Sequence, residues 1–318
     1  MLTLALDIGG TKIAAGLVDP AGALVYTATR PTRGDQGAER VWAVVTELID
    51  EALAVGRPVE AVGISSAGPV DLTAGTVSPV NIDSWRGFPL RGRVAAAVPG
   101  VPVRLGGDGV CTALGEYRHG AGRGARSLLG MVVSTGVGGG LVLDGAPYYG
   151  RTGNAGHVGH VVVDHVHGPV CRCGGRGCVE AIASGPAMVR WALANGWAPA
   201  AGPPAPPGAD AKALATAAAA GDPVAGQAFT RGAAALAAMI ASVAAVCDLD
   251  LVVIGGGVAN SGAVLFDPLR AALADYAGLD FLAGLRVIPA ELGGEAGLVG
   301  AAVLAGLNPA AVRPSPAS

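Results

Sequence analysis

The chain has 318 residues, of which 51% are hydrophobic and 14% are charged, and its formal net charge is −3. This length suits one large domain or two subdomains, and the weak negative charge lacks the basic footprint of a nucleic-acid-binding protein. Apolar runs are broken well before about 18 residues, so no membrane span is expected. The first residues lack the basic region of a signal peptide, and five cysteines suit a reducing compartment better than a disulfide framework. We therefore expect a soluble, cytoplasmic protein.

Two short apolar strands open the chain, from Leu2 to Leu6 and from Ile13 to Val18, and the sequence D-I-G-G-T-K joins them at 7–12. A hairpin with a glycine pair and a hydroxyl at its bend can wrap backbone N–H groups around phosphate oxygens. Asp7, at the end of the first strand, is placed to hold Mg²⁺ through water. The alternative is an ordinary hairpin with a polar turn. A Walker loop is excluded, because G-x-x-x-x-G-K-[ST] is absent.

An aspartate, Asp108, lies between a predicted strand at 101–105 and a predicted helix at 111–117. An aspartate just before a helix is most often an N-cap. Phosphoryl transfer, however, needs one carboxylate that accepts the proton of the attacking hydroxyl. Upstream, apolar spacing predicts a helix over 38–54 and a strand over 59–64.

A second strand–loop–strand pattern follows, with strands at 128–133 and 141–143 and a Gly/Thr loop from Ser134 to Gly140. The pattern repeats that of residues 2–18. Two such loops, each with a threonine between apolar strands, favour an internal duplication with one phosphate loop in each half.

Three of the five cysteines, Cys171, Cys173 and Cys178, lie within eight positions. Three thiolates and one imidazole make a closed tetrahedral shell, which is typical of a structural rather than a catalytic Zn²⁺. The histidine candidates are His160, His165 and His167. The alternative is three thiols without metal.

The C-terminal part alternates apolar helices with short strands. Helices are predicted at 186–195, 211–219, 224–246 and 297–305, the third of them buried, and strands at 249–254 and 285–289. A Pro/Ala/Gly-rich surface loop is expected at 198–210, and a disordered tail at 308–318.

Over nearly the whole chain these motifs resemble the ROK family of sugar kinases and sugar-responsive repressors. The resemblance rests on D-x-G-G-T at 7–11, on the second Gly/Thr loop, and on C-x-C-G-x-x-G-C-x-E at 171–180. It implies the α/β actin-like ATPase (ribonuclease H-like) fold, with two subdomains around a central cleft and a small structural zinc site. The expected subdomains are residues 1–117, completed by a helix at about 297–307, and residues 118–296.

The resemblance also implies roles for individual residues. Asp108 is the implied catalytic base. ATP and Mg²⁺ are implied to bind at Asp7, Gly9, Gly10, Thr11, Lys12, Thr135, Gly136 and Gly138, with the adenosine at Gly255, Gly256 and Gly257. The implied sugar contacts are Gly68, Asn81, Gly107, Asp108, His157, His160 and Glu180. The implied zinc ligands are His160, Cys171, Cys173 and Cys178, so that His165 and His167 become exposed loop residues. For the loop with Asn81 the alternative is a surface loop with one packed tryptophan.

Two positions depart from the family pattern: Gly107 replaces an asparagine, and His157 replaces a glutamate. A carboxylate accepts two hydroxyl hydrogen bonds, whereas an imidazole offers one acceptor. These changes argue for a ligand whose ring is altered at C2 or C3.

The leading hypothesis is ATP-dependent phosphorylation of a sugar primary hydroxyl, O6, in glucose, an N-acetylhexosamine or an aminodeoxy hexose. The alternatives are a kinase for a sugar-like cyclitol, and a catalytically weak sugar-binding regulator that lacks a DNA-binding domain. Family repressors carry an added N-terminal helix-turn-helix, for which a phosphate loop beginning at Asp7 leaves no room. The resemblance further implies a homodimer or homotetramer that binds a small sugar but neither nucleic acid nor membrane.

Overall fold

The computed structural model describes residues 1–199 and 209–308, so most of the predicted surface loop and of the predicted tail lies outside the described residues. By internal contacts the chain divides into two compact units. Unit 1 comprises Met1–Ala125, Gly140–Gly156 and the segment from Leu292 onward; unit 2 comprises Arg126–Gly139 and His157–Glu291. The subdomain boundaries expected after residues 117 and 296 stay predictions.

The described residues form both strands and helices, in the following order. In the first 125 residues they are β1 (Leu2–Ile8), β2 (Lys12–Val18), β3 (Leu24–Pro31), α1 (Ala38–Leu53), β4 (Val59–Ser66), β5 (Val70–Asp71), β6 (Thr76–Val77), α2 (Leu90–Ala97), β7 (Val103–Gly107) and α3 (Asp108–His119). They continue with β8 (Leu128–Val133), β9 (Val137–Leu143), β10 (Ala146–Tyr148), α4 (Glu180–Ala183), α5 (Gly185–Ala194), α6 (Ala211–Ala219), α7 (Pro223–Cys247), β11 (Leu251–Gly255), α8 (Ala263–Tyr276), β12 (Arg286–Pro289) and α9 (Ala296–Gly306).

The first sheet has the strand order β3-β2-β1-β4-β7. β1 and β2 form an antiparallel hairpin, whereas β4 and β7 run parallel to β1. Helix α9 packs against β1 and β4, and α1 packs against β2 and β3. These helices explain the long buried runs in β1, β2 and β4, whereas β3 alternates between half-buried and exposed residues. Because parallel strands end at the same edge, Asp7 pairs with Ser65, and Ser66 pairs with Gly107. The sheet thus gathers polar positions from three strands.

The second sheet has the order β10-β9-β8-β11-β12, in which β11 and β12 run parallel to β8. Both sheets share the same succession of hairpin and parallel strands, as the repeated sequence pattern predicted. The largest difference from the predicted bounds is in β9, which begins at Val137, so Gly138 and the two following glycines belong to a strand rather than to the loop. Gly139 is required there because a Cβ would lie 2.8 Å from the carbonyl oxygen of Gly130 in β8.

Helix α7 has 25 residues and is long and apolar enough to cross a membrane by length and composition. More than half of its most apolar stretch is buried, and it packs against α4, α5, α6 and α8. Its apolar character therefore follows from its place in the core of unit 2, as the sequence predicted.

Helices α3 and α9 approach each other so closely that glycine is required between them. A Cβ on Gly300 would overlap the carbonyl oxygen of Cys111, and a Cβ on Gly115 would lie 2.6 Å from that of Ala296. Helix α3 begins with Asp108, so the packing of α3 against α9 fixes the backbone position of a predicted functional residue.

We expect Gly300→Ala to lower the free energy of unfolding by about 3 kcal/mol, since the added methyl can be accommodated only by separating α3 from α9. The matched control is Gly306→Ala at the end of α9, where a Cβ meets nothing within 4 Å. Urea unfolding of the two variants is the measurement. Equal stability of both variants would contradict the close packing.

Candidate functional site

The first predicted phosphate loop is a tight bend between β1 and β2. Pairing of Ile8 with Ile13 leaves the bend to the residues between them, and the amide of Gly9 donates to the carbonyl of Lys12 at 3.0 Å. Thr11 and Lys12 are exposed. A Cβ on Gly10 would overlap the Cβ of Asn81, so the loop is packed against the segment that contains Asn81. The predicted phosphate and substrate segments of unit 1 are therefore neighbours.

Thr32, which the sequence analysis did not single out, holds this loop through two hydrogen bonds. Its side chain is buried, its Oγ1 donates to the carbonyl of Gly9 at 2.7 Å, and its amide donates to the carbonyl of Thr11 at 3.0 Å. These two bonds fix both sides of the bend. The threonine comes directly after β3, a strand that the sequence analysis did not predict.

Asp7 is held by Ser65, a second residue that sequence reasoning missed. The Ser65 Oγ donates to Asp7 Oδ1 at 2.7 Å across the parallel pair of β1 and β4. The other oxygen lies close to the first turn of α9, where a Cβ on Gly297 would be 2.6 Å from Oδ2. Burial raises the pKa of Asp7, while the Ser65 hydrogen bond and the Lys12 charge act to lower it. The sequence shows only a pair of serines after a predicted strand, and the register that joins Ser65 to Asp7 appears only in the folded sheet.

Asp108 is the first residue of α3, and it does not act as the N-cap. The N-cap position is Gly107, and Asp108 Oδ1 accepts a hydrogen bond from the amide of its neighbour Gly109 at 2.7 Å. Although the side chain is exposed by surface area, the protein around it removes enough water to raise the pKa of Asp108 to about 6, and the negative charge of Asp7 adds to the effect. The result is a carboxylate that is more basic than usual and free of a capping role.

The space beside Gly107 is open. A Cβ built there meets nothing within 4 Å, and its φ of −68° and ψ of 150° suit any residue. Backbone strain therefore does not explain the glycine. The position leaves room where the family pattern has a side chain.

The loop at 81–87 divides into an exposed and a packed part. Trp85 is fully buried, stacks on Phe88 with ring centroids 4.0 Å apart, and donates from Nε1 to the carbonyl of Ala38. Trp85 is thus a packed core residue, as the alternative of a surface loop with one packed tryptophan expected. Asn81 is exposed and remains available. Gly68, half-buried, follows Ala67, whose amide donates to the carbonyl of Ile8 at the end of β1.

In unit 2, Glu180 contacts the second predicted phosphate loop. Its Oε2 accepts a hydrogen bond from the amide of Val137 at 2.9 Å, and a Cβ on Gly136 would lie 2.7 Å from the same oxygen. Thr135 is exposed at the bend, and Gly138 has open space where a Cβ would stand. Glu180, predicted as a sugar contact, is therefore tied to the predicted ATP loop as well.

The glycines at 255–257 lie against this same loop. Gly256 has a φ of +95°, and a Cβ there would lie 2.5 Å from the carbonyl oxygen of Val133 at the end of β8. A Cβ on Gly257 would lie 3.6 Å from the Oγ of Ser134. Two predicted ATP segments, far apart in the chain, are thus brought together in unit 2.

The four predicted zinc ligands form one cluster. The ligand atoms of His160, Cys171, Cys173 and Cys178 all lie within 4.8 Å of one another. Cys173 Sγ lies 3.7 Å from Cys178 Sγ, and Cys171 Sγ lies 3.8 Å from His160 Nδ1. A tetrahedral ion with Zn–S bonds of about 2.3 Å puts its sulfurs about 3.8 Å apart, so the donor set fits zinc in chemistry and in spacing.

His165 and His167 are exposed turn residues outside that cluster, as expected. His157 is exposed, and its ring centroid lies 6.4 Å from that of His160. Partial burial lowers the pKa of His157, as does the neighbouring His160, whereas Glu180 raises it. His157, His160 and Glu180 therefore form one group of polar side chains in unit 2.

Comparison with known proteins identifies the family. The family model described as the ROK family matches residues 3–307. The chain belongs to the ROK family. A glucokinase of Streptomyces coelicolor is 38% identical over 317 residues, spanning 96% of this chain and 97% of the relative. An N-acetylmannosamine kinase of Salmonella typhimurium is 37% identical, spanning 96% of this chain and 98% of the relative.

A solved structure agrees with this ROK assignment. The crystal structure of a ROK family glucokinase from Streptomyces griseus, in complex with glucose and AMPPNP, has a TM-score of 0.81 and 38% identity. The match covers 96% of this chain and 99% of that chain. The α/β fold expected from the ROK resemblance is confirmed. The expected ligand roles of the individual residues stay predictions.

Proposed function

We propose that this ROK family sugar kinase transfers the γ-phosphoryl group of ATP to the primary hydroxyl, O6, of a hexose or modified hexose. The observation that carries the proposal is Asp108, a carboxylate at the start of α3 with a raised pKa and no capping bond. Relatives that match nearly the full chain are glucokinases and N-acetylmannosamine kinases. Asp7, whose position favours a metal-bound nucleotide, lies near enough to act on Asp108 electrostatically.

Asp108 accepts the proton of the sugar hydroxyl as the oxygen attacks the γ-phosphorus. The new O–P bond forms as the bond to the β-phosphate oxygen breaks, and ADP leaves with the electron pair. The proton is then released from Asp108 to solvent. A pKa of about 6 leaves the group ionised at neutral pH and makes it a better base than an ordinary carboxylate.

The nucleotide-binding residues are proposed as the family resemblance implies them. Backbone amides at Gly9, Gly10 and Thr11 and at Thr135, Gly136 and Gly138 are the phosphate donors, and Gly255, Gly256 and Gly257 lie along the adenosine. Asp7, fixed by Ser65, would hold Mg²⁺, which neutralises phosphate charge when bound. The exposed Lys12 adds a positive charge to the first loop.

Zinc is assigned a structural role at His160, Cys171, Cys173 and Cys178. It would cross-link the loop that carries His157 and His160 to the start of α4, where Glu180 lies. With Nδ1 facing the sulfurs, His160 keeps Nε2 for a sugar hydroxyl.

The substrate is assigned to hexoses changed at C2 or C3, such as N-acetylhexosamines and aminodeoxy hexoses. The open space at Gly107 accepts a larger substituent, and His157 replaces a charged double acceptor by a single neutral one. A cyclitol of similar shape is the second candidate, on the same two observations. Gly68 and Asn81 complete the proposed sugar contacts.

A coupled ADP-release assay tests the proposal. The panel contains glucose, mannose, fructose, their 2-acetamido forms, 2- and 3-amino hexoses and C7 cyclitols. Turnover of a panel member supports a kinase and names its substrate class. If no member is turned over by folded, zinc-loaded protein, the proposal fails and the sugar-binding regulator takes its place.

We expect the sugar kcat/KM to fall on the acid side of pH 6. Asp108 acts as a carboxylate, so activity is present above its pKa of about 6 and is lost as the pH falls through that value. The loss should approach about tenfold per pH unit. A pH–rate profile from pH 5 to 8 is the measurement. Constant kcat/KM down to pH 5 would remove Asp108 from the role of base.

We expect Gly107→Asn and His157→Glu to shift the preference toward unmodified glucose, by about tenfold for each added hydrogen bond to a hydroxyl. Both sites accept the change, because Gly107 has open space and His157 is exposed. The matched control is Gly92→Asn in α2, where a Cβ also meets nothing within 4 Å. An unchanged ranking of panel substrates would show that neither position selects the sugar.

A cytoplasmic location and a homodimeric or homotetrameric assembly complete the proposal. Light scattering on the full chain at working concentration decides between the two assemblies.

A further inference from the structure

A cavity of about 220 Å³ lies between the end of β3 and helix α1 in unit 1, and none of its lining residues has been assigned a role above. Arg30, Arg33, Arg40 and Glu47 supply its charges, and Ala43 and Val44 supply its apolar wall. Its volume equals that of about seven water molecules, which is enough for a phosphate group and part of its substituent.

The cavity has an excess of positive charge. Arg30 is paired with Glu51 at 2.6 Å, and the nearby Glu39 is paired with Arg93 at 2.7 Å. Within residues 1–199 and 209–308, Arg33 and Arg40 form no ion pair with an acid, and Glu47 pairs with neither of them. Two guanidinium groups therefore face one small space with their donors available.

The backbone at Arg33 and Arg40 is fixed by a hydrogen-bonded turn and by helix α1. Arg33 has a left-handed φ of 50°, and its carbonyl accepts a hydrogen bond from the amide of Gln36 at 3.0 Å. Arg40 lies in the first turn of α1, whose buried face packs against β2 and β3. Non-glycine residues with a positive φ are concentrated at functional sites.

We propose that this cavity, the arginine pocket, binds the phosphate group of a small anion and so regulates nucleotide binding. Guanidinium groups bind phosphate with two parallel N–H···O bonds, which a carboxylate-lined or neutral pocket cannot provide. Glu47 repels a second anion but accepts a hydroxyl, so the ligand class is a phosphate monoester of a polyol, with free phosphate or polyphosphate as the other sources of the same chemistry.

A path from the pocket to the first phosphate loop is present. Thr32 lies between Arg30 and Arg33 in the chain, is buried, and bonds to the carbonyls of Gly9 and Thr11. An anion that fixes Arg33 also fixes the residue that supports the loop. By linkage, the anion and the nucleotide must then change each other's affinity by the same factor.

Isothermal titration calorimetry of the full chain tests the site, with inorganic phosphate, glucose 6-phosphate and tripolyphosphate as separate probes at fixed ionic strength. The variants are Arg33→Gln/Arg40→Gln and, as a matched control, Arg57→Gln, an exposed arginine outside the pocket. We expect the preferred probe to bind the double variant about tenfold more weakly or worse, with Arg57→Gln unchanged. Comparison of the three probes names the source of the phosphate group.

Two outcomes would overturn the proposal. If wild-type protein binds none of the probes, or the double variant binds all of them as wild type does, the arginine pocket is not a phosphate site. The second measurement is the AMPPNP dissociation constant with and without the preferred probe. If the probe changes the AMPPNP dissociation constant of the double variant as much as that of wild type, the probe competes at the nucleotide loops. That result would refute regulation through the pocket.

Discussion

Asp108→Asn is expected to lower kcat about a thousandfold, because the amide cannot take the proton of the attacking hydroxyl. The affinity for AMPPNP and the thermal midpoint should stay near those of wild type. Asparagine fits the same space, and the change removes a carboxylate that already faces the like charge of Asp7. Steady-state ADP release with the preferred sugar is the measurement.

The matched control for this variant is Asp275→Asn, an exposed aspartate in α8 that should leave kcat unchanged. Retention of kcat within tenfold of wild type by Asp108→Asn would mean that catalysis depends on positioning of the two substrates alone. In that case the acid limb of the pH profile should also be absent from wild type, so the two measurements check each other.

Three elements were predicted closely from the sequence, whereas α3, which carries the predicted catalytic residue, begins at Asp108 rather than at 111. β8 and α6 have the predicted bounds, and α1 differs by one residue at its end. Their apolar residues follow the pattern expected of a buried strand or a helix, and Gly37 and Asp210 stand just before α1 and α6, so local pattern and final structure agree. The cysteine cluster was predicted equally well, because three cysteines so close in sequence can readily bring their sulfurs to one metal ion.

Other elements were missed because their local signals are weak. β3 alternates between half-buried and exposed residues, so it has no continuous apolar run. Helix α8 contains Pro268 in its interior and follows a glycine-rich turn, both of which usually end a helix. Contacts from other elements outweigh these local preferences.

The residues that support the site could not be predicted by motif. Ser65 reaches Asp7 and Thr32 reaches Gly9 only because particular strands pair in a particular register. Such register is a property of the folded sheet, whereas a motif reports only neighbours in the chain. Residues that orient a site are therefore less visible in sequence than residues that touch the ligand.

Cys171→Ser is expected to reduce bound zinc from about one ion per chain to nearly none, since a closed structural shell requires all four ligands. Cys171 is buried, and backbone hydrogen bonds such as that from its own amide to the carbonyl of Gly175 hold the loop in the shape that brings the ligands together. The thermal midpoint should fall with the metal content. Elemental analysis and thermal unfolding of protein purified without chelator are the measurements.

Loss of zinc should act on the sugar more than on the nucleotide. His160 is a cluster member, and Glu180 follows Cys178 by two residues, so both lose orientation, and the sugar KM should rise about a hundredfold. The matched control is Cys247→Ser at the end of α7, a half-exposed cysteine outside the cluster. Because Glu180 also holds the amide of Val137, which directly follows the second predicted phosphate loop, the KM for ATP should rise as well, though less. A change in the KM for ATP alone would place the metal with the nucleotide rather than with the sugar.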